Sequence, residues 1–472
     1  MKRCLQFLFF AFLVLGVNAQ QAKYVFYFIG DGMGVNQVNA TEMYMAANQG
    51  RIGYEPLLFA SFPVATVAAT YSASNPITDS AAAGTALATG VKTYNSAIGL
   101  DKDKNRIASV AEMAKAAGKK VGVATSVSID HATPSSFYAH QERRQMYYEI
   151  ATDLPKSGFD FFAGSGFLRP DKDADGKDAP SIYPMMDAAG YAIAHGVDDY
   201  KTKKAAADKM ILVQPETATR TDCLPYAIDR KPGDLTLAQI TETAIDFLTK
   251  DSKSKGFFLM VEGGKIDYAC HGNDIATAME EVIDMDNAVK VAYEFYKQHP
   301  KETLIVITAD HETGGFALGN SDYWLYLDKV KGQKCSIEEF SKKVTDYRRD
   351  NAGKASWEGV KALLSENFGF FTATELNWTQ ERKLRDAYEE SFVRNNIRFS
   401  ENLYSQTDPM ATAARDVMMS VAHIAWTTGG HTAGYVPVYV MGAGANVFMD
   451  GKIDNTEIAR RIAKAAGYKY TN

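Results

Sequence analysis

The stretch Phe257-Phe258-Leu259-Met260-Val261 runs without a break into Glu262-Gly263-Gly264-Lys265-Ile266-Asp267-Tyr268-Ala269-Cys270-His271. Consecutive apolar residues, with aromatic and β-branched members and no alternation, have the pattern of a strand buried on both faces. Acids and a histidine begin where that strand ends. The same sequence logic recurs three times. Tyr24–Ile29 leads into Gly30-Asp31-Gly32-Met33-Gly34, Val121–Thr125 into Asp130-His131-Ala132-Thr133-Pro134, and Leu304–Thr308 into Asp310-His311-Glu312-Thr313-Gly314-Gly315. Val436–Met441 reads as a fifth strand. Helical patterns lie between them. Pro232-Gly233-Asp234 breaks the chain and offers Asp234 as an N-cap, and Leu237, Ile240, Ala244 and Phe247 then recur at helical spacing. After His271, one face carries Ile275, Met279, Val282, Met285 and Val289. Strands alternating with helices predict an α/β fold with a large, mostly parallel central sheet and helices on both faces. In such sheets ligands bind beyond the carboxyl ends of the strands, so the four polar loops should converge on one edge.

The chain has 472 residues, enough for one large core or two smaller ones. We expect a single domain over 20–472, with an irregular insertion at about 165–232 and a mostly helical insertion at about 321–420. Within the latter, Ser336-Ile337-Glu338-Glu339 is a capping box followed by Phe340, Val344 and Tyr347 on one face. The formal charge of -6 argues against a nucleic-acid-binding surface. Lys2 and Arg3, the apolar run Leu5 to Val17 and the small-residue site Val17-Asn18-Ala19 predict a signal peptide over residues 1–19. The expectation is an exported protein, periplasmic or secreted, with no membrane span after cleavage. The mature chain would keep Cys223, Cys270 and Cys335, so at most one internal disulfide could form. Asp171-Lys172-Asp173-Ala174-Asp175-Gly176 resembles the start of a calcium loop, but Ile182 stands where the closing Glu belongs, so a solvated turn is the better reading.

Carboxylates with imidazoles suit zinc, and carboxylates with hydroxyls suit magnesium. Of eight histidines, His271, His311 and His431 sit in Gly-rich surroundings beside acids or Thr432, whereas His195, His299 and His423 have no such company. In Thr78-Asp79-Ser80-Ala81-Ala82-Ala83-Gly84 the small residues suit a helix start packed against an anion. Asp79 or Ser80 could serve there simply as a cap. Beside metals, Ser80 becomes a nucleophile candidate, because a metal lowers a hydroxyl's pKa.

These motifs, with Gly430-His431-Thr432, resemble in content and order those of alkaline phosphatases, and they run from near the mature start to residue 432. The resemblance implies a phosphomonoesterase that works through a phosphoserine at Ser80, with two zinc ions and one magnesium in each subunit of a homodimer. Zinc 1 would be held by Asp267, His271 and His431, zinc 2 by Asp31, Asp310 and His311, and magnesium by Asp31, Thr133 and Glu262. Arg144 would bind substrate phosphate, with Arg143 as a competing assignment. His131, Tyr268 and Thr313 would line the shell behind the ligands; they stand where some members have Asp, Lys and His, which puts metal preference and pH optimum in question. Two other readings stay open here: a related two-metal diesterase or sulfatase-like enzyme, and an exported metal- or phosphate-binding protein without turnover, which gives Ser80 no use.

Overall fold

The computed structural model describes residues 21–218, 222–251 and 253–472. The proposed signal peptide, residues 1–19, lies outside the described residues. Ten strands form one sheet: β1 (Tyr24–Gly30), β2 (Val64–Ala69), β3 (Lys120–Thr125), β4 (Phe161–Ala163), β5 (Tyr191–His195), β6 (Lys209–Val213), β7 (Phe257–Gly263), β8 (Thr303–Thr308), β9 (Val436–Gly442) and β10 (Ile453–Asp454). Their order across the sheet is β10-β2-β9-β8-β1-β7-β3-β4-β6-β5. Only β9 runs antiparallel, pairing with β8 on one side and β2 on the other. The strands that carry the polar loops, β8, β1, β7 and β3, are therefore consecutive neighbours. Their ends are in register: Ile29 lies beside Thr308 and Glu262, and Glu262 beside Thr125.

The pleat explains why these strands show no polar alternation. On β1, Tyr27 points to one face, where its ring meets Phe137 and its hydroxyl donates to the Leu87 carbonyl. Phe26 points to the other and packs on Phe295 of the Ile275–Gln298 helix. Both faces are covered, so both sets of side chains are apolar. The Leu237–Thr249 helix packs beside Ile275–Gln298 on that second face. Its cap is Thr236, paired reciprocally with Gln239, and not Asp234 as expected. Asp234 instead closes the preceding turn by accepting from the Lys231 N–H.

The expectation that the stretch over about 165–232 is irregular also needs correction. That stretch supplies β5 and β6, the last two strands at one edge of the sheet, with the short helices Tyr183–Ala188 and Gly196–Lys203. Short edge strands between Asp- and Lys-rich turns carry too few residues for a clear period. The Asp171–Gly176 segment is a turn, with the Asp173 carboxylate accepting from the Asp175 and Lys177 N–H groups.

Residues 321–420 hold the helices Ile337–Asp350, Trp357–Phe368, Trp378–Tyr388 and Pro409–Ala422. Phe340, Val344, Leu364, Phe368, Leu384 and Val417 form a second core with Ile275 and Met279, and Ile228, Ile283 and Trp426 pack against both cores. Buried Asp274 fastens the two together. Its carboxylate accepts from the Ile337 N–H and from Gln333, while it caps the helix that follows His271. Among the described residues no helix is long and apolar enough to cross a membrane.

Candidate active site and metal centre

Ser80 opens the Ser80–Thr89 helix, and Asp79 is its N-cap, accepting from the Ala82 N–H at 3.0 Å. Every residue of this helix is buried. Gly84 lets it approach the next loop: a Cβ there would stand 2.9 Å from Ser136 Oγ and 3.2 Å from Thr133 Cα. The capping role thus falls to Asp79 and leaves the Ser80 hydroxyl free of it. Asp79 satisfies the helix end, and the Ser80 hydroxyl faces inward, 3.1 Å from His311 Nε2. Arg144 Nη1 donates to Ser80 Oγ at 3.4 Å, and the guanidinium lies 3.6 Å from Asp79. Arg143 is exposed and makes no such approach, which separates the two candidate arginines.

Around Ser80 the strand ends bring together two groups of ligand-type side chains. His311 Nε2 lies 3.2 Å from Asp310 and 3.5 Å from Asp31. Asp267 lies 3.2 Å from His271 Nε2 and 3.7 Å from His431 Nε2, and the two imidazole nitrogens are 3.2 Å apart. All three histidines are aimed the same way. His271 Nδ1 donates to the Gly429 carbonyl and His431 Nδ1 to the Thr78 carbonyl, at 2.6 and 2.9 Å. His311 Nδ1 meets Thr313 Oγ1 at 3.2 Å. Each outer nitrogen is engaged, so each Nε2 presents a lone pair inward, as metal ligation requires. Thr313 also donates to Asp267 Oδ1 at 2.5 Å, so one hydroxyl orients a residue of each group.

A third group forms on the other side of Asp31. Its carboxylate, Glu262 and His131 place ligand atoms within 4.8 Å of one another, and buried Thr133 stands beside Glu262. Thr125 on β3 donates to the Glu262 carboxylate, a partner that sequence reading missed because it lies inside a strand. Arg144 Nη2 donates to His131 Nε2 at 3.4 Å. That bond occupies the nitrogen's lone pair, so His131 meets the arginine as an acceptor.

Glu312, beside His311, has a different task. It accepts from Gln37, from the Gly315 and Phe316 N–H groups and from Thr432, so it ties together the loops that carry His311 and His431. Gly32 serves the same closeness: at φ +72° it donates to Asp310, and any side chain would meet Asp267 and Thr313 at 2.9 Å. Tyr268 stacks on Tyr404, with centroids 3.5 Å apart and planes 14° from parallel. Tyr404 comes from the turn between the strands Ser400–Glu401 and Gln406–Thr407, far along the chain, and no spacing in the sequence pointed to it.

The electrostatics show what the cluster lacks. Burial first, then the charges of Asp310, Asp267 and Glu262, push the Asp31 carboxyl far above the usual range. Burial raises Glu262 to about 8 and Asp310 to about 7, with neighbouring carboxylates adding to both. Asp267 goes the other way: burial opposes its ionisation, but His271, His431 and His311 hold it well below the ordinary value. Burial and the Arg144 charge keep His131 neutral, down to about 3. Both Asp31 oxygens are buried without a hydrogen bond. Carboxylates gathered this way call for positive charge, and inward-facing imidazoles beside them fit divalent metal ions.

The sequence pattern of the family described as alkaline phosphatase matches residues 22–163 and 220–468. Alkaline phosphatase 3 of Bacillus subtilis (strain 168) is 35% identical over 461 residues, covering 96% of this chain and 90% of that protein. Among solved structures, a cold-active alkaline phosphatase from a psychrophilic Shewanella sp. superposes with a TM-score of 0.77 at 31% identity, covering 94% of this chain and 99% of that one. The alkaline phosphatase of the Antarctic bacterium TAB5 has a TM-score of 0.66 at 26% identity, covering 96% and 99%. A variant of it with a histidine replaced by aspartate was solved with magnesium in a site called M3. The chain belongs to the alkaline phosphatase family, metal-dependent hydrolases of phosphate monoesters.

Proposed function

We propose that this protein hydrolyses phosphate monoesters to alcohol and inorganic phosphate through a covalent phosphoserine at Ser80. The observation that carries the reading is the Ser80 hydroxyl itself. It sits at a helix N-terminus, between the His311 imidazole and the Arg144 guanidinium, within the ring of acids and histidines. Orphaned carboxylate oxygens and inward-facing Nε2 atoms fit a metal cluster. Asp267, His271 and His431 would hold one zinc, Asp31, Asp310 and His311 the second, and Asp31, Thr133 and Glu262 a magnesium. When bound, these ions supply positive charge that favours an ionised serine and stabilises the phosphoryl oxygens.

The residues of the chain account for the rest. The Arg144 fork binds two non-bridging oxygens and turns phosphorus toward Ser80 Oγ, with His131 and Asp79 fixing the plane of the guanidinium. The partial positive charge at the N-terminus of the Ser80–Thr89 helix favours the anion. Ser80 Oγ bonds to phosphorus as the ester oxygen leaves and takes up a proton. Water then displaces Ser80 Oγ, releasing phosphate and restoring the serine. Each displacement inverts phosphorus, so the sum is retention.

Export after removal of residues 1–19, and assembly as a homodimer, belong to the same reading. Mass spectrometry of the secreted chain should find its N-terminus at Gln20. The central experiment compares Ser80→Ala with wild type on an aryl phosphate, a diester and an aryl sulfate. Wild type should prefer the monoester. Ser80→Ala should lose turnover by a factor of about 10³ or more while zinc and magnesium content stay near wild type. A diester preferred in kcat/KM, or unchanged turnover in the variant, would overturn the proposal.

A further inference from the structure

Tyr404 is the one aromatic residue of the helical segment that reaches the centre. The turn around it is held from within: Asn402 Oδ1 accepts from the Tyr404 and Ser405 N–H groups, and Asn402 Nδ2 donates to Ser405 Oγ. So fixed, the Tyr404 ring lies flat on Tyr268, meets the edge of His271 at 5.3 Å and stands 6.2 Å from His131. The ring is partly exposed, but its hydroxyl is buried and has no hydrogen-bond partner. A buried phenol left unpaired forgoes the hydrogen bond it would make in water, and the ring is held in place by its stack on Tyr268. The charges that act on this hydroxyl are Asp267, Arg144 and Asp31, and Arg144 also donates to Ser80 Oγ.

We propose that Tyr404 is a substrate-binding residue whose hydroxyl donates a hydrogen bond to a non-bridging oxygen of phosphate held beside Ser80 and Arg144. The inference rests on the phosphomonoesterase reading and adds to it a ligand from outside the sheet. It gives the helical segment a role in the site: the segment carries a third phosphate contact on a turn that Asn402 keeps rigid. Tyr268 acts as the platform that sets the height of the phenol.

The test uses holoenzyme and two variants. Tyr404→Phe keeps the ring and removes only the donor; Tyr404→Ala removes both. Calorimetry with inorganic phosphate should show binding to Tyr404→Phe weakened about 10- to 100-fold, the range for a hydrogen bond to a charged group. KM for an aryl phosphate should rise with it, while metal content by elemental analysis matches wild type. Tyr404→Ala should bind no better than Tyr404→Phe. Equal phosphate affinity in wild type and Tyr404→Phe overturns the assignment, and so does loss of metal from Tyr404→Phe, which would make the residue a structural prop. Wild-type holoenzyme that binds phosphate but turns over no monoester would sink the catalytic reading instead, with the affinity difference still deciding Tyr404.

Discussion

Thr313 shows how much of this site depends on single hydroxyls behind the ligands. It donates to Asp267 and accepts from His311, and so links the two groups proposed to hold zinc. Thr313→Val keeps the shape but leaves an Asp267 oxygen and the His311 Nδ1–H unpaired. We expect zinc affinity to fall about 10- to 100-fold, read as a shift in the zinc concentration that restores activity to metal-stripped enzyme. His131 supports a second prediction. His131→Asp would place a carboxylate beside Asp31 and Glu262 and give Arg144 a charged acceptor. Oxygen donors suit magnesium, so the variant should retain more magnesium through dialysis, with activity more sensitive to added magnesium. A variant whose magnesium content matches wild type would contradict this. At this scale the sequence was legible wherever a residue type implies its chemistry, as with Asp267 or His431. It was silent on Thr125 and Tyr404, whose roles arise only from where the fold sets them.

Elements were legible in proportion to their burial. β1, β7 and β8 lie inside the sheet, covered on both faces, so their interiors are apolar and the first acid or glycine falls at or just beyond their ends. β5 and β6 lie at the edge, and the turns around them masked their identity. The Leu237–Thr249 helix was visible from its apolar face, but its start was placed two residues early, because Asp234 and Thr236 are both good caps and only Thr236 has its partner three residues on. The Ser80–Thr89 helix carries the element-scale prediction. Its contact with the Thr133 loop leaves no room at Gly84. Gly84→Val must push the two apart, taking Ser80 and Thr133 with them. Overpacking of this kind costs about 1–3 kcal/mol, and thermal unfolding should show it. kcat should fall more than tenfold, since small displacements of a nucleophile are expensive. Wild-type kcat in a destabilised variant would mean that this contact does not position Ser80.

For the whole molecule, the acids that define the site oppose the fold that holds them. Asp310 and Glu262, raised to about 7 and 8, and Asp31, raised well above its ordinary value, are carboxylates whose folded values exceed their unfolded ones. Such groups favour the folded state fully below their unfolded values near ~4, and that contribution is lost as pH rises through the folded values. His311, His431 and His131 are lowered by burial, so their contribution grows with pH, but only up to the ordinary histidine value of about 6.5. His271 is raised: burial opposes its charge, but the Asp267 charge and its hydrogen bonds to Asp267 and the Gly429 carbonyl together outweigh it, and it loses stability upward as the carboxylates do. Above about 6.5 the opposing histidines are spent, and the carboxylates and His271 set the slope. The metal-stripped protein should therefore lose stability steadily from pH 6.5 to about 8. Metal ions that bind only the folded chain add stability by mass action, and they compete with protons for these same carboxylates, so their benefit should grow across that interval. Thermal unfolding of stripped and reloaded protein at pH 6.5 and 8 would measure both effects. The gap between the two forms should widen with pH, and a gap that narrows would show that these carboxylates are not the metal-binding groups.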